Sequence, residues 1–222
     1  KKAYGIQPGH AQFYYPKEYG YGELWLRMAK ALEGNIKYGE DIKEIDFTRK
    51  AVITSDGKIY QADIIIVTIP WIEFDGIIGM PKEIRRSIKE LKFSSIQTEY
   101  FSDRLDTQAQ WVYYPAPELA YHRILVRHNF CQKSRGYWTE TNTERINMKN
   151  SGSGFKYINQ YAYPLNTVKK PDIMKKLLTW SRTQGVIGLG RWGEHQHYNS
   201  DVTVDLAMKL SDELEGNSYE RL

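Results

Sequence analysis

The sequence has a single cysteine, Cys131, among its 222 residues. One thiol forms no internal disulfide, and no CxxC or Cys/His pair with zinc-finger spacing accompanies it, so neither a disulfide framework nor a structural zinc organises the chain. A reducing, cytoplasmic compartment fits this usage. Long apolar runs are also missing. The longest, Ile64 to Ile72, is broken by Thr68 and Pro70 and falls far short of the roughly 20 residues a membrane-spanning helix needs, and no signal peptide is expected. Charge of one sign is scarce: 31 basic against 27 acidic residues leave a net +4, too mild and too interspersed for a nucleic-acid binder. There is no internal repeat and no low-complexity tract. The patch Ser151-Gly152-Ser153-Gly154 is the one flexible-looking joint.

What is abundant is aromatic. Aromatic residues make up 14% of the chain, with 17 Tyr and 6 Trp. Two readings are open: a tyrosine-rich sheet, or a face for a carbohydrate, nucleotide or flavin, to which such rings offer flat apolar area with a polar tip. At this length folding buries roughly 70% of the surface an unfolded chain exposes, so the core needs no covalent staple.

Hydrophobic periodicity supplies the elements. Gly22 to Leu32 predicts a helix, with Leu24, Met28 and Leu32 four apart and Gly34 as a stop; Trp25 and, later, Trp180 stand at positions expected in a core. Strands are expected at Asn35 to Tyr38, Asp41 to Asp46, Ala51 to Thr54 and Lys58 to Gln61, the last two joined by an Asp56-Gly57 hairpin turn. The β-branched run Asp63 to Ile69 predicts a strand buried on both faces. Pro81 to Leu91 predicts a helix with an inward stripe of Ile84, Ile88 and Leu91. Strands follow at Ser95 to Phe101, Gln110 to Tyr114, Tyr121 to Asn129, Tyr137 to Thr141 and Phe155 to Tyr163, a mostly antiparallel sheet. Asp172 to Arg182 predicts a helix, Val186 to Leu189 a short strand, and Asp201 to Leu214 a helix with Asp201 as N-cap and Val202, Leu206, Leu210 and Leu214 facing inward. This order describes a discontinuous α/β part around an inserted α+β part, with a ligand expected between them.

The chemistry concentrates near the C-terminus. In Gly188-Leu189-Gly190-Arg191-Trp192-Gly193-Glu194, an apolar strand runs into glycines that let backbone approach closely, with an arginine at the strand end. A helix N-terminus opens ten residues later. Such a pairing suits a planar, partly anionic cofactor; a plain strand-loop-helix connection with an exposed arginine is the other reading.

GRWGEHQHYNSD followed by an amphipathic helix resembles the closing motif of UDP-galactopyranose mutases and their relatives among FAD-dependent amine oxidase-like and protoporphyrinogen oxidase-like proteins. YPKEYGYGELWLRMAKAL, NIKYGEDIKEID and KAVITSDGKIYQADIIIVTIP resemble the part of that superfamily that closes the flavin domain. YHRILVRHNF and YAYPL resemble the substrate-side strands of the mutases. The superfamily opens with a strand, a GxGxxG turn and a helix that hold the FAD pyrophosphate. The chain is read as lacking that unit, which is expected upstream of Lys1, so these 222 residues are expected to be a fragment that is inactive and does not hold FAD tightly by itself. The fold class expected is therefore α/β with α+β: a partial FAD-binding domain at 1–70, a substrate-binding domain at 71–182 and a return to the FAD-binding domain at 183–222.

The resemblance implies roles residue by residue. Ile42 matches a position whose backbone meets the adenine, and Thr68 and Pro70 match the strand end near the cofactor. Gly190 and Arg191 match the pair that approaches flavin and substrate diphosphate. Asn199, Ser200 and Asp201 match the helix start facing the flavin pyrimidine edge. Arg123 matches a substrate-side arginine, and Tyr163 and Tyr198 match phosphate-contacting tyrosines; no protein residue is assigned as catalytic. Arginine forks pair bidentately with diphosphate, and tyrosine adds a neutral donor. The activity implied is interconversion of a UDP-sugar between pyranose and furanose forms with reduced FAD, in LPS and cell-surface polysaccharide synthesis. The alternatives are an FAD-dependent amine or protoporphyrinogen oxidase, with an uncharged tunnel in place of convergent arginines, and a non-enzymatic carbohydrate-binding module.

Other groups read as structural. Glu194, His195 and His197 are expected to form a polar loop and not a metal site, because an extended segment supplies two ligands at most. His122 and His128 are expected in a surface or groove, Cys131 lacks a third partner for a nucleophile, and Lys169-Lys170 with Lys175-Lys176 are expected on a solvated face.

Overall fold

The computed structural model describes residues 14–146 and 154–219; the joint at 151–153 lies outside them. In chain order the elements are α1 (Tyr21–Ala31), β1 (Ile42–Asp46), β2 (Ala51–Thr54), β3 (Ile59–Gln61), β4 (Ile65–Val67), β5 (Gly76–Ile78), α2 (Lys82–Ile88), β6 (Phe93–Phe101), β7 (Trp111–Tyr113) and β8 (Tyr121–Val126). Then come α3 (Arg127–Phe130), β9 (Tyr137–Asn142), β10 (Lys156–Pro164), α4 (Lys170–Thr183), β11 (Val186–Gly188), α5 (Gly190–Gly193) and α6 (Ser200–Tyr219). The fold is mixed α/β with an antiparallel sheet, as the periodicity predicts.

The chain forms two compact units, Lys1–Lys37 with Ile96–Asn159 and Tyr38–Ser95 with Gln160–Leu222. The second unit holds a four-stranded sheet of order β3-β2-β1-β5 and a parallel pair, β11-β4. Its core joins strands and helices: Ile45, Val67, Trp71, Ile77, Ile84, Ile88, Leu91, Ile173, Leu177 and Val186 are all buried. The stripe expected at 84, 88 and 91 is buried, and so are Ile173 and Leu177 of the helix expected at Asp172 to Arg182, each large side chain contributing about 1.5–3 kcal/mol. Trp180 packs on Phe47 with ring centroids 4.5 Å apart.

The first unit is built on the sheet of order β10-β6-β9-β8-β7. β6 and β9, β9 and β8, and β8 and β7 pair antiparallel, with a register shift between Tyr121 and Arg123.

Five expectations need correction. Asn35 to Tyr38 is not a strand; Gly34 and Gly39, with φ of +94° and +74°, bracket it. β4 is three residues long and, among the described residues, pairs only with β11, so Ile64 and Ile66 stay 43% exposed where two buried faces were expected. The strand from Tyr121 stops at Val126, where the backbone coils into α3 and Cys131 N–H donates to the Arg127 carbonyl at 3.0 Å. α1 forms with no buried residue, and Leu24, Trp25, Met28 and Leu32 are exposed, so Trp25 is no core residue. α6 begins at Ser200, which puts Asp201 inside the first turn; Leu210 is buried, but Val202 is exposed.

The turn after β1 is fixed by Asp46, which is 2% exposed. Its carboxylate accepts from the Thr48 and Arg49 N–H groups at 2.9 and 3.1 Å, from Thr48 Oγ1 at 2.5 Å and from Arg49 Nε at 2.6 Å. The Thr48 and Arg49 side-chain bonds hold this carboxyl well below its ordinary value of 3.8. A depressed carboxyl contributes stability that is fully present above the unfolded value and is lost as pH falls toward the folded one. Urea titrations at pH 7 and pH 3 are expected to show a smaller stability loss on acidification for Asp46→Asn than for the parent.

Candidate functional site

β11 runs into a tight turn whose backbone is packed against β4. Leu189 N–H donates to the Val67 carbonyl at 2.9 Å, continuing the β11-β4 ladder. Gly190 has φ of +73°, and its N–H donates to Glu194 Oε2 at 2.9 Å. Burial pushes the Glu194 carboxyl up, opposed by that N–H. Gly193 lies so close to β4 that a Cβ would run into the Val67 carbonyl oxygen. Its own carbonyl accepts from Trp71 Nε1 at 2.8 Å.

This frame aims Arg191. Its Nε and Nη2 donate to the Tyr198 carbonyl at 3.0 and 2.7 Å, and its Nη1 donates to the Ala162 carbonyl at 3.2 Å. The guanidinium carbon stands 5.4 Å from the Tyr163 ring centroid, and His197 packs edge-on against the same ring at 4.9 Å. A guanidinium carries five N–H donors, and here three are engaged. Among the described residues no carboxylate lies within 4.0 Å of it, so its partners orient the charge without neutralising it. Burial lowers the His197 pKa, with the charges of Arg191 and Lys170 adding to the effect; burial raises that of the Tyr198 phenol.

A second cation holds the loop in place. Lys170 is 4% exposed, and its ammonium donates to Asn166 Oδ1 at 2.6 Å, the His195 carbonyl at 3.0 Å and Gln196 Oε1 at 3.1 Å. Burial lowers its pKa. Gln196 N–H in turn donates to the Arg191 carbonyl at 2.8 Å. The solvated face expected for Lys169-Lys170 is therefore half correct: Lys169 is exposed and pairs with Glu90, while Lys170 is a buried clasp. Its phase with Ile173, Met174 and Leu177, all buried in α4, was the available signal. His195, with φ of +50°, is 2% exposed and turns Nε2 to the Lys92 carbonyl at 3.0 Å. Among the described residues no three His, Cys, Asp or Glu side chains gather as a metal site.

The structure thus brings Tyr163, Gly190, Arg191 and Tyr198 together, with Asn199, Ser200 and Asp201 following at the start of α6. The Asn199 carbonyl accepts from Thr203 N–H at 3.1 Å in that first turn. Thr68, exposed, and Pro70, buried, continue from β4 beside this turn, while Ile42 opens β1 opposite Thr54. Arg123 belongs to the other unit. On β8 it lies opposite Glu140, its Nε donating to Glu140 Oε2 at 2.7 Å and its Nη1 to the Tyr113 hydroxyl at 3.1 Å. His122 stands 3.9 Å from the same carboxylate, and burial lowers its pKa.

One correction concerns the glycine motif. The spacing G-x-G-x-x-G does occur in the chain, at Gly188, Gly190 and Gly193, between β11 and the one-turn α5. Its glycines meet protein: Gly188 faces Leu178 and the Gly193 carbonyl, Gly190 faces Thr203, and Gly193 faces Val67. A dinucleotide pyrophosphate needs those approaches open, so this turn is no cradle for one. FAD, which the resemblance implies, fits these residues in part: Arg191 and the opening of α6 suit an anionic or electron-rich edge, and the pyrophosphate finds no glycine cradle here.

Compared with family models and with curated proteins, the chain matches none. Among solved structures, a reduced UDP-galactopyranose mutase is similar with a TM-score of 0.69 at 15% identity, over 81% of this chain and 46% of that one. A putative protoporphyrinogen oxidase from Exiguobacterium gives 0.53 at 13% identity, over 78% and 46%. The chain therefore has the fold of part of these proteins and spans about half their length. No helix among the described residues is long and apolar enough to cross a membrane.

Proposed function

We propose that this chain is part of a flavoprotein related to UDP-galactopyranose mutase, and that Arg191 receives an anionic group of a nucleotide sugar beside the flavin. The observation that carries this is an arginine aimed by three hydrogen bonds to carbonyls, backed by the Tyr163 ring and, among the described residues, left without a carboxylate partner. Partners chosen to orient a charge and not to cancel it suit a site that meets an anion from outside. Tyr163 and Tyr198 border the guanidinium and would add neutral contacts to phosphate. Asn199, Ser200 and Asp201 would bring the positive end of α6 toward the flavin ring. FAD, when bound, would supply the nucleophilic and redox chemistry; this chain's residues supply position and charge.

A second reading keeps the fold and replaces the mutase by an FAD-dependent oxidase. The Arg123–Glu140 pair favours it, because an arginine already neutralised on β8 is not available for a diphosphate without breaking that pair. UDP separates the two. Titrated into the protein, UDP is expected to bind saturably and to be displaced by UDP-galactose; absence of saturable binding would leave the oxidase reading. Mixed with FAD and desalted, the 222-residue chain is expected to retain less than one flavin per molecule, since its own glycine turn is filled. A stoichiometric flavin spectrum would contradict this.

A further inference from the structure

The Arg191 turn leaves unexplained a cavity in the other unit, on one face of the antiparallel sheet. β6 and β9 set three side-chain pairs across that face, Gln97 opposite Thr141, Glu99 opposite Thr139, and Phe101 opposite Tyr137; Tyr121 of β8 lies beside Thr141. Glu99, Thr139 and Thr141 are 7%, 7% and 8% exposed, yet they border a cavity of about 350 Å³. Glu99 Oε1 is buried and accepts no hydrogen bond. Its nearest cation, Lys156 Nζ, is 3.6 Å away, close enough to balance charge and too far to donate a normal bond.

Buried carboxylate oxygens are ordinarily hydrogen-bonded, and one without a donor from the protein takes its partner from outside, a water molecule or a ligand hydroxyl. Because Lys156 already offsets the charge, the missing partner is a neutral donor and not a second cation. Threonine hydroxyls and the Gln97 amide both donate and accept, which matches a ring bearing several hydroxyl groups. Tyr137, stacked on Phe101 with centroids 5.1 Å apart, offers apolar area for the carbon face of such a ring. The volume lies at the small end of ligand pockets, which run roughly 300–1,000 Å³.

From this we infer that the cavity is a binding site for a single phosphate-free sugar ring, whose hydroxyl groups donate to Glu99 and exchange hydrogen bonds with Thr139 and Thr141. It stands independently of the Arg191 reading. The test is an amide NMR titration of the whole chain with methyl β-galactopyranoside and methyl β-glucopyranoside, which carry no phosphate. At least one glycoside is expected to give saturable shifts at Glu99, Thr139 and Thr141, weakened at least about tenfold by Glu99→Gln, the loss of one charged hydrogen bond. Thr141→Val serves as a second variant, with the same direction expected, and thermal melting verifies that each variant folds. Three results would overturn the inference: no saturable shift with either glycoside, affinity unchanged in both variants, or the same amides saturating with putrescine instead, which would make this a cation site.

Discussion

Gly193→Ala is expected to destabilise the protein by about 3 kcal/mol or more, the upper end of what overpacking a core position costs, because the backbone it meets has nowhere to go. The added Cβ would collide with the Val67 carbonyl oxygen and come within 3.0 Å of the Gly188 carbonyl carbon. Neither neighbour yields easily. Val67 already accepts from Leu189 N–H in the β11-β4 ladder, and Trp71, buried at 1% exposure, bonds the Gly193 carbonyl. Gly22, inside α1, is the natural comparison, because a Cβ there meets nothing within 4 Å. Gly22→Ala is expected to stabilise by about 0.4–1 kcal/mol through reduced freedom of the unfolded chain and better helix propensity. Urea unfolding followed by circular dichroism reads both variants. Equal small effects at the two positions would mean that the β4 to α5 contact is looser than described.

Lys170→Met has the second largest expected effect, about 2–4 kcal/mol, measured the same way. Methionine keeps much of the volume but leaves Asn166 Oδ1, the His195 carbonyl and Gln196 Oε1 without their shared donor. Buried acceptors that lose a partner cost about 1–3 kcal/mol each before relaxation. The loop from His195 to Tyr198 is then freed at one end. Since Tyr198 orients Arg191, UDP affinity is expected to fall together with stability, whereas Lys169→Met, which removes an exposed pair with Glu90, is expected to change stability by less than about 1 kcal/mol. If Lys170→Met and Lys169→Met melt alike, Lys170 does not clasp the loop.

The elements that periodicity made legible are those whose burial follows from their own local pattern. Ile84, Ile88 and Leu91 repeat at helical spacing, and so do Ile173 and Leu177, and both stripes are buried. What escaped depends on partners distant in sequence. α1 repeats just as regularly, yet Leu24 and Met28 are exposed, because spacing predicts a helix and not what covers it. The run Asp63 to Ile69 is β-branched enough for a central strand, but among the described residues only β11 pairs with it.

The site divides in the same way. Arg191 and Tyr198 were legible because they share one short segment with the glycines. Arg123 looked equivalent in sequence; its pairing with Glu140 comes from the β8-β9 register after a shift near Tyr121, which no local pattern announces. Lys170 was hidden by its neighbour, since two adjacent lysines read as one charged surface although successive helical residues point about 100° apart. The literal G-x-G-x-x-G spacing illustrates the converse: a motif can be present while its glycines serve protein packing and leave no room for a ligand.

The most direct test of the account is calorimetric titration of UDP into the parent chain and into Arg191→Ala. Removing a charged, pre-oriented donor from an anion site costs about 2 kcal/mol or more, which is roughly 30-fold in affinity. Saturable binding by the parent and a loss of at least that size in the variant are predicted, with thermal melting verifying that Arg191→Ala still folds after the Tyr198 and Ala162 carbonyls lose their donor. Equal UDP affinity in the two proteins would contradict the assignment of Arg191 as the anion receptor, and with it the reading of this turn as the functional site.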